Sequence, residues 1–576
     1  MLRSTEPLGP FAPSLAHVFR AGAAAHPDRL LVTHGTRELA WGEAAGHARA
    51  IAQALLDLGL SAQRPLLILS GNSIEHLLLT LGAFEAGVPV LPTSTAYSLL
   101  SEDHERIRAI AALCTPGLAF ADDAEAYGGA LDALSGLAPL QVVARGRRDG
   151  AVPLAELTGT RPGAAAEDAF ARVGPDTVAK LLFTSGSTGA PKGVINTQRM
   201  LCSNQQALGQ VWPFLHEEPP VLVDWLPWSH TFGGNHNLNQ VLAYGGTVHI
   251  DDGRPAPAAF ERTVDALRSV APTVYYNVPA AYALLAPRLE QDRELAEHFF
   301  SRLRFLFYAA AALPEALWDR LSGLAVTVAD HTVPLTAAWG TTETAPGATT
   351  AHFPGARCGC IGVPLPGVAI KLAPQGDKLE ARVKGPNVTP GYHGNPEATA
   401  AAFDDEGYYR TGDAVRLVDE DDPEQGLLFD GRLAEDFKLS TGTFVHVGKL
   451  RTGLVSAALV LSDAVICGHD LDCVGALAWL DQGEARRRLG RDGDVAPDDP
   501  GLRDDLAQRL RDLNRGAGSA QRVERLLLLD TPPDIDAGEI TDKGYINQRA
   551  VRERRSAEVR RLFAEPPPGD VIVPDA

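Results

Sequence analysis

The residues with the clearest chemistry are Thr184-Ser185-Gly186-Ser187-Thr188-Gly189-Ala190-Pro191-Lys192-Gly193, which follow the apolar run Leu181-Leu182-Phe183. Glycines without a Cβ let backbone N–H groups turn inward, and such concave arrays bind anions. The hydroxyls of Thr184, Ser185, Ser187 and Thr188 add donors, and Lys192 adds a mobile positive charge suited to polyphosphate. The pattern predicts nucleotide triphosphate handling. It is not a P-loop, because Lys192 stands between Pro191 and Gly193 rather than before a Ser or Thr that opens a helix. The lysine is therefore read as riding on a loop. A polar surface loop is all that a shorter Gly/Ser/Thr cluster would imply.

Further polar residues follow in an order suited to adenylate formation. Trp339-Gly340-Thr341-Thr342-Glu343 sets a hydroxyl and a carboxylate beside a tight glycine turn. Glu343 opposite Lys192 could hold Mg²⁺, which takes one or two protein carboxylates and completes its shell with phosphate oxygens. Tyr409-Arg410-Thr411-Gly412-Asp413 offers a second carboxylate, an acceptor for ribose hydroxyls, and Arg432 follows Gly431. Singly, an Asp after Gly is a turn residue. His230 lies in Leu226-Pro227-Trp228-Ser229-His230-Thr231-Phe232-Gly233-Gly234, and the next three residues, Asn235-His236-Asn237, carry no role that type and spacing reveal. Tyr275, Asn277, Tyr282 and Trp339 are candidates for an aromatic-lined pocket suited to a flat acid, although core packing explains such residues equally well.

The elements that must position these groups alternate. Leu66–Leu69 reads as a strand, Ser73 caps a helix carrying Ile74, Leu77, Leu78 and Leu81 on one face, Gly87 ends it, and Val88–Leu91 is extended again. The alternation recurs through Val221–Val223, Val248–Ile250, a helical Pro257–Ser269 and Thr273–Tyr276. Later, Phe305–Tyr308 runs into Ala309-Ala310-Ala311-Ala312. This predicts an α/β fold with layered sheets, whose ligands gather at the carboxyl ends of strands. The glycine loop, the alanine run and Gly340 would all lie there. A boundary is predicted near residue 431, giving domains 1–431 and 432–576. In the second, Gly483–Gly518 reads as an amphipathic helix pair, and the Pro566-Pro567-Pro568 tail is expected to be mobile.

A chain of 576 residues needs more than one core. Its net charge of −20 opposes a nucleic-acid partner, while leaving room for a locally positive pocket. The six cysteines lack zinc-site spacing and read as free thiols in a reducing compartment. No signal peptide is read, and no stretch of about 20 apolar residues is present, so a cytoplasmic protein without a membrane partner is expected. The sequence sets no oligomeric state; a homodimer is one expectation.

With these segments in this order, the chain closely resembles the acyl-adenylate-forming superfamily of acyl-CoA synthetases, non-ribosomal adenylation domains and luciferases, over about residues 15–560. The resemblance implies a large layered α/β N-terminal domain that binds AMP and the acyl group, and a smaller α+β C-terminal lid with a hinge near 432–436. It implies ATP, Mg²⁺ and coenzyme A as cofactors. By the same resemblance, Thr184, Ser185, Gly186, Ser187, Thr188, Gly189 and Lys192 cradle the β- and γ-phosphates. Ala309, Ala310 and Ala311 flank adenine, Trp339, Gly340 and Thr341 complete the nucleotide site, and Thr342 touches phosphate. Glu343 holds Mg²⁺, Asp413 binds ribose, and Arg432 supports the ribose and phosphate side. His230 lies beside the substrate carboxylate, with Phe232, Gly233, Asn277, Tyr282 and Trp339 around the acid. Lys438 and Gly442 match the segment presented to the thiol.

Four segments narrow the resemblance to bacterial feruloyl-CoA synthetases, which activate ferulate, p-coumarate and caffeate: Val194–Met200, the His230 segment, Tyr308–Pro314 and Glu539–Gln548. This implies a small-molecule aromatic carboxylic acid as partner. Two departures stand out. The superfamily's C-terminal lysine follows glycine in Thr-x-x-Gly-Lys-Ile, whereas here Thr541-Asp542-Lys543-Gly544-Tyr545-Ile546 has tyrosine there. Lys543, two residues earlier and about 7 Å away along extended backbone, is assigned as the adenylation lysine. At the hinge, Ala434 replaces the usual Asp or Lys, so either Glu435 or Asp436 takes over or the pivot is shifted. The alternatives are a benzoate, salicylate or medium-chain fatty acid as substrate, a carrier-protein thiol as acceptor, and a catalytically weak adenylate-binding protein.

Overall fold

A computed structural model describes residues 1–185, 191–329, 331–353, 355–540 and 546–574. The chain is α/β and divides into a large unit, Met1–Ala373, Ala381–Thr411 and Leu417–Leu428, and a smaller one, Pro374–Glu380, Gly412–Arg416 and Phe429–Ala576.

In the large unit the first β-α-β step forms as its signals dictate. Leu66–Leu69 is a fully buried strand, and the Ser73 hydroxyl accepts the His76 N–H to cap the helix Ile74–Ala86. Gly87 closes that helix at φ 67°, a left-handed conformation that a side chain would strain, and Val90–Pro92 then pairs parallel to the first strand. These strands belong to a seven-stranded sheet in the order 191–197, 178–185, 90–92, 66–69, 118–123, 141–145, 152–153. All its pairings are parallel except one. The edge strand Pro191–Thr197 returns antiparallel to Val178–Ser185, with Lys192 opposite Thr184. Gly391–His393 covers the outer side of that edge, since the Ile195 and His393 N–H groups donate to the Gly391 and Gly193 carbonyls.

Val274–Asn277, Phe305–Tyr308 and Leu335–Gly340 form a parallel set continued antiparallel by Gly347–Thr350 and Cys360–Pro364. The helices Pro257–Ser269, Pro279–Gln291, Arg293–Phe300 and Glu315–Val328 pack on it around Leu267, Leu285, Phe299, Phe300 and Leu321. A third sheet orders Val221–Asp224, Thr247–Ile250, Leu30–His34 and Arg37–Ala40.

The smaller unit is α+β: Leu461–Cys467, Val474–Leu480 and Val523–Leu528 form one sheet. Side chains alternate across it, so Ala464, Ile466, Ala476, Ala478 and Leu526 join one core while Val465, Cys467, Leu477 and Leu527 join another. The helices Gln482–Leu489 and Pro500–Asn514 are the amphipathic pair. The C-terminal tail departs from expectation. Val571 and Ile572 are buried, and Ile572 exchanges both backbone hydrogen bonds with Leu526, so apolar residues beyond the prolines pin the tail to the sheet.

Among the described residues, all six cysteines are free, no helix is long and apolar enough to cross a membrane, and no group of three or more His, Cys, Asp or Glu side chains could hold a metal.

Candidate active site

Gly186, Ser187, Thr188 and Gly189 lie outside the described residues, while their flanks are well defined. Lys192 stands on the strand Pro191–Thr197, which corrects the reading of a loop lysine. The hairpin begins again at Pro191, and a proline at the first strand position costs no ladder bond.

Tyr392 joins the hairpin to the Glu343 turn. Its ring lies 5.3 Å from Lys192 Nζ in cation–π geometry, and its hydroxyl donates to Glu343 Oε1 at 3.1 Å. The Tyr409 hydroxyl lies 3.4 Å from that of Tyr392. Burial, reinforced by the Glu343 carboxylate, pushes both phenols well above their ordinary range, so both stay protonated donors. Glu343 is 7% exposed, and among the described residues no lysine or arginine pairs with it. A buried carboxylate without a basic partner is costly unless a cation completes it. That donor set fits Mg²⁺, which would draw its remaining ligands from phosphate oxygens and water and would neutralise developing charge.

The turn that carries Glu343 has little freedom. A Cβ on Gly340 would lie 1.7 Å from the Pro346 carbonyl oxygen, so only glycine fits. The Thr389 N–H donates to the Glu343 carbonyl and the Thr341 N–H to Thr344 Oγ1. Thr341 Oγ1 is buried without a protein partner among the described residues, while Thr342 and Trp339 are buried beside it. Ala309 is half-buried and Ala310 and Ala311 are exposed, with Ala310 at φ 75°, a strained conformation for a residue with a Cβ.

The His230 segment forms a tight turn running into a π-helix, Phe232–Asn237. His230 is half-buried and its Nδ1 accepts the Phe232 N–H, which leaves Nε2 to carry a proton. Gly233 is required by packing, since a Cβ there would meet the Leu226 and Pro227 carbonyls at 2.3 and 2.5 Å. Phe232 sits in an aromatic cluster with His236, Tyr276 and Phe307. Lys180, which sequence reasoning passed over, is buried and donates from Nζ to the Gly234 carbonyl at 3.0 Å. Burial pushes its ammonium down to about 7. The available signal was a lysine inside the apolar run Val178–Phe183.

Two of the pocket candidates also serve the fold. The Tyr282 hydroxyl lies 2.9 Å from the carbonyl oxygens of both Tyr275 and Phe307, and its ring belongs to the helix–sheet core. Asn277 donates to the Tyr275 hydroxyl and accepts from Trp225 Nε1 and the Val278 N–H, which commits its amide to the fold. Burial of polar side chains demands such partners, and the sequence alone could not distinguish them from pocket walls.

In the smaller unit, Asp413 is buried and its Oδ1 lies 3.4 Å from Nε of the exposed Arg432. Asp436 is engaged by Lys378 Nζ at 2.6 Å, His446 Nδ1 at 3.0 Å and the Val447 N–H. Among the described residues Glu435 makes no such set of bonds, and burial raises its carboxyl above the ordinary value. Lys438 is exposed with Nζ 4.6 Å over the Phe444 ring, and Gly442 forms the intervening turn at φ 81°.

Lys543 lies outside the described residues, between Ile540 and Ile546, which pair as an isolated bridge. Just before it, Glu539 and Arg555 form a two-bond pair at 2.8 and 2.6 Å with both side chains at most 10% exposed. Replacing Arg555 with methionine is expected to destabilise the smaller unit by about 3–5 kcal/mol, because the carboxylate would be left buried and unpaired. Burial alone would raise the Glu539 carboxyl, but Arg555 and the Asp534 N–H hold it below the ordinary value. Stability from a depressed carboxyl is present above its unfolded pKa and lost as pH falls through the folded one. The gap between wild type and variant in urea titrations should thus be full at neutral pH and narrow below about pH 4.

Two paired strands flanking the glycine- and hydroxyl-rich segment, a lysine and a buried carboxylate at strand ends fit a nucleotide-handling enzyme. Residues 19–393 match the AMP-binding enzyme family, and the chain belongs to that family. It is 25% identical over 583 residues to the long-chain-fatty-acid–CoA ligase FadD15 of Mycobacterium bovis, covering 90% of this chain and 91% of that protein. It is 30% identical over 310 residues to the benzoate–CoA ligase of Thauera aromatica, covering 52% and 54%. Its fold is similar to that of the anthranilate CoA ligase AuaEII in complex with anthranoyl-AMP, with a TM-score of 0.75, 19% identity and coverage of 96% and 98%.

Proposed function

We propose that the protein is an AMP-forming acid–CoA ligase that converts a hydroxycinnamate, such as ferulate, p-coumarate or caffeate, through an acyl-AMP to its CoA thioester. The Lys192–Tyr392–Glu343 arrangement carries the reading, because a cation and a carboxylate joined through one phenol support binding of a polyphosphate with its metal ion. In the first step a carboxylate oxygen of the acid attacks the α-phosphorus of ATP and pyrophosphate leaves. In the second a thiol attacks the acyl carbon and AMP leaves. Both steps concentrate negative charge, which fixed donors and cations stabilise.

In this reading Thr184 to Thr188, Gly189 and Lys192 hold the phosphates, Thr341 and Thr342 line them, and Glu343 carries the Mg²⁺. Ala309 to Ala311 and Trp339-Gly340 flank the base, and Asp413 and Arg432 take the ribose side. His230 orients the acid. Lys543 serves adenylation, and Lys438 and Gly442 serve the thiol. The hinge falls near 432–436, where Glu435 is freer to change partners than Asp436, which three groups already hold. The names of the mycobacterial and Thauera relatives support a CoA thioester as product. The rings of Phe232, His236, Tyr276 and Phe307 support a flat acid over an aliphatic one. Likeness to the benzoate ligase favours a benzoate as the second reading.

CoA-dependent AMP release is the test, measured on ferulate, p-coumarate, caffeate, cinnamate, benzoate, salicylate and octanoate, each paired with pyrophosphate release without CoA. Thioester formation confined to hydroxycinnamates is expected. Preference for benzoate or octanoate replaces the substrate class, and pyrophosphate without thioester replaces CoA with another thiol acceptor.

A further inference from the structure

Asn235-His236-Asn237 and the residues after it are polar where the fold is dry. Asn235, His236, Asn237, Asn239 and Gln240 are all at most 2% exposed, on a π-helix that runs into the helix Leu238–Tyr244. Part of this polarity is satisfied. Asn235 Nδ2 donates to Asn196 Oδ1 and Thr231 Oγ1, and Asn237 Nδ2 donates to Asp224 Oδ2 at 3.0 Å. The Tyr276 hydroxyl donates to Gln240 Oε1 at 2.5 Å.

The remainder is unpaired among the described residues: His236 Nε2, Gln240 Nε2, both amide atoms of Asn239, and Asn235 Oδ1. Each such group costs roughly 1–3 kcal/mol unless something fills the vacancy, and native folds retain few without a reason.

His236 and Gln240 differ from the others because their chemistry is fixed by their neighbours. The Asn237 amide is oriented by Asp224, so its Oδ1 faces His236 Nδ1 at 3.0 Å and accepts that proton. Burial lowers the imidazole to about 4, so it is neutral near pH 7 and Nε2 offers only a lone pair. The Gln240 amide is oriented by Tyr276, which leaves Nε2 with only protons to offer. The two groups share Tyr276, whose ring lies 4.9 Å from that of His236 and whose hydroxyl is on Gln240. They stand one helical turn apart on one face. Around them, Phe307 is stacked on His236 at 5.1 Å, and Phe232 and Trp212 meet it edge-on.

One acceptor and one donor within an aromatic cluster match a single hydroxyl on an aromatic ring, which donates its proton to one and receives a hydrogen bond from the other. We propose that His236 Nε2 and Gln240 Nε2 bind a ring hydroxyl of the acid substrate and set the preference for hydroxylated over unsubstituted aromatic acids. This deepens the ligase reading and rests on it.

The test compares kcat/KM for p-coumarate and cinnamate in CoA-dependent AMP release, in wild type, His236→Phe and Gln240→Met. Wild type is expected to prefer p-coumarate, and each variant to lower that preference about ten- to hundredfold, the loss falling on the hydroxylated acid. Thermal unfolding midpoints should fall modestly in both variants and by themselves decide nothing, because His236→Phe leaves Asn237 Oδ1 and Gln240→Met leaves the Tyr276 hydroxyl without its partner. Equal losses on both acids identify a purely structural role, such as a water held between the two groups, and overturn the proposal. Absence of a wild-type preference overturns it too. Adenylation of some other acid, with neither cinnamate accepted, removes the hydroxyl site and leaves acid activation standing. Adenylation of no acid removes both.

Discussion

Pyrophosphate release without CoA is expected to fall by at least about a hundredfold in Glu343→Ala, consistent with the several kcal/mol that a bound cation contributes to such a transition state. The fold should survive, because the turn is held by backbone: the Glu343 carbonyl accepts the Thr389 N–H, and Gly340 packs against Pro346. What disappears is a buried negative charge with no basic partner among the described residues. Glu343→Gln separates charge from hydrogen bonding, since its amide oxygen still accepts from the Tyr392 hydroxyl. It should be nearly as impaired as Glu343→Ala if metal binding is the role. Tyr392→Phe keeps the ring under Lys192 and loses only the hydroxyl, so its loss should be about tenfold, the value of one hydrogen bond to a charged group. Raising Mg²⁺ should recover part of the activity of Tyr392→Phe and none in Glu343→Ala. Near-normal pyrophosphate release by Glu343→Ala removes the metal role.

The elements around this site were legible where local signals decide. Ser73 and Gly87 bound a helix by capping and a left-handed turn, and Pro257–Ser269 forms over the residues that its spacing marks. The glycine turns and isolated charges at strand ends were legible as well, because they are local features. Tyr392 was not, since it acts through contacts with residues 49 and 200 positions away, and neither periodicity nor spacing encodes such pairings. Lys192 was misplaced for a related reason: the hairpin partner that makes it a strand residue is set by register against Thr184. Asn277 and Tyr282 show the limit for aromatic and amide side chains, whose types suit a pocket or a core equally until their hydrogen bonds are traced. The Pro566-Pro567-Pro568 tail reads as mobile from its prolines, yet two apolar residues beyond them suffice to add a bridge to a sheet edge.

Gly442→Trp should divide the two half-reactions. Gly442 is exposed at the turn between Lys438 and Phe444, its N–H donates to the Leu439 carbonyl, and a Cβ there would meet nothing within 4 Å. A side chain therefore costs only backbone strain at φ 81°, about 1–2 kcal/mol, and the turn can persist. A bulky indole on the segment proposed to receive the thiol would obstruct its approach. Pyrophosphate release without CoA should stay within about threefold of wild type, while thioester formation from supplied acyl-AMP falls by about a hundredfold or more. Gly442→Ala carries the same strain without the bulk, so its thioester rate should fall no more than about tenfold. If alanine were as damaging as tryptophan, backbone conformation rather than obstruction would be the cause. An equal loss of pyrophosphate release in Gly442→Trp would instead assign the turn to adenylation, and the thiol would need another route.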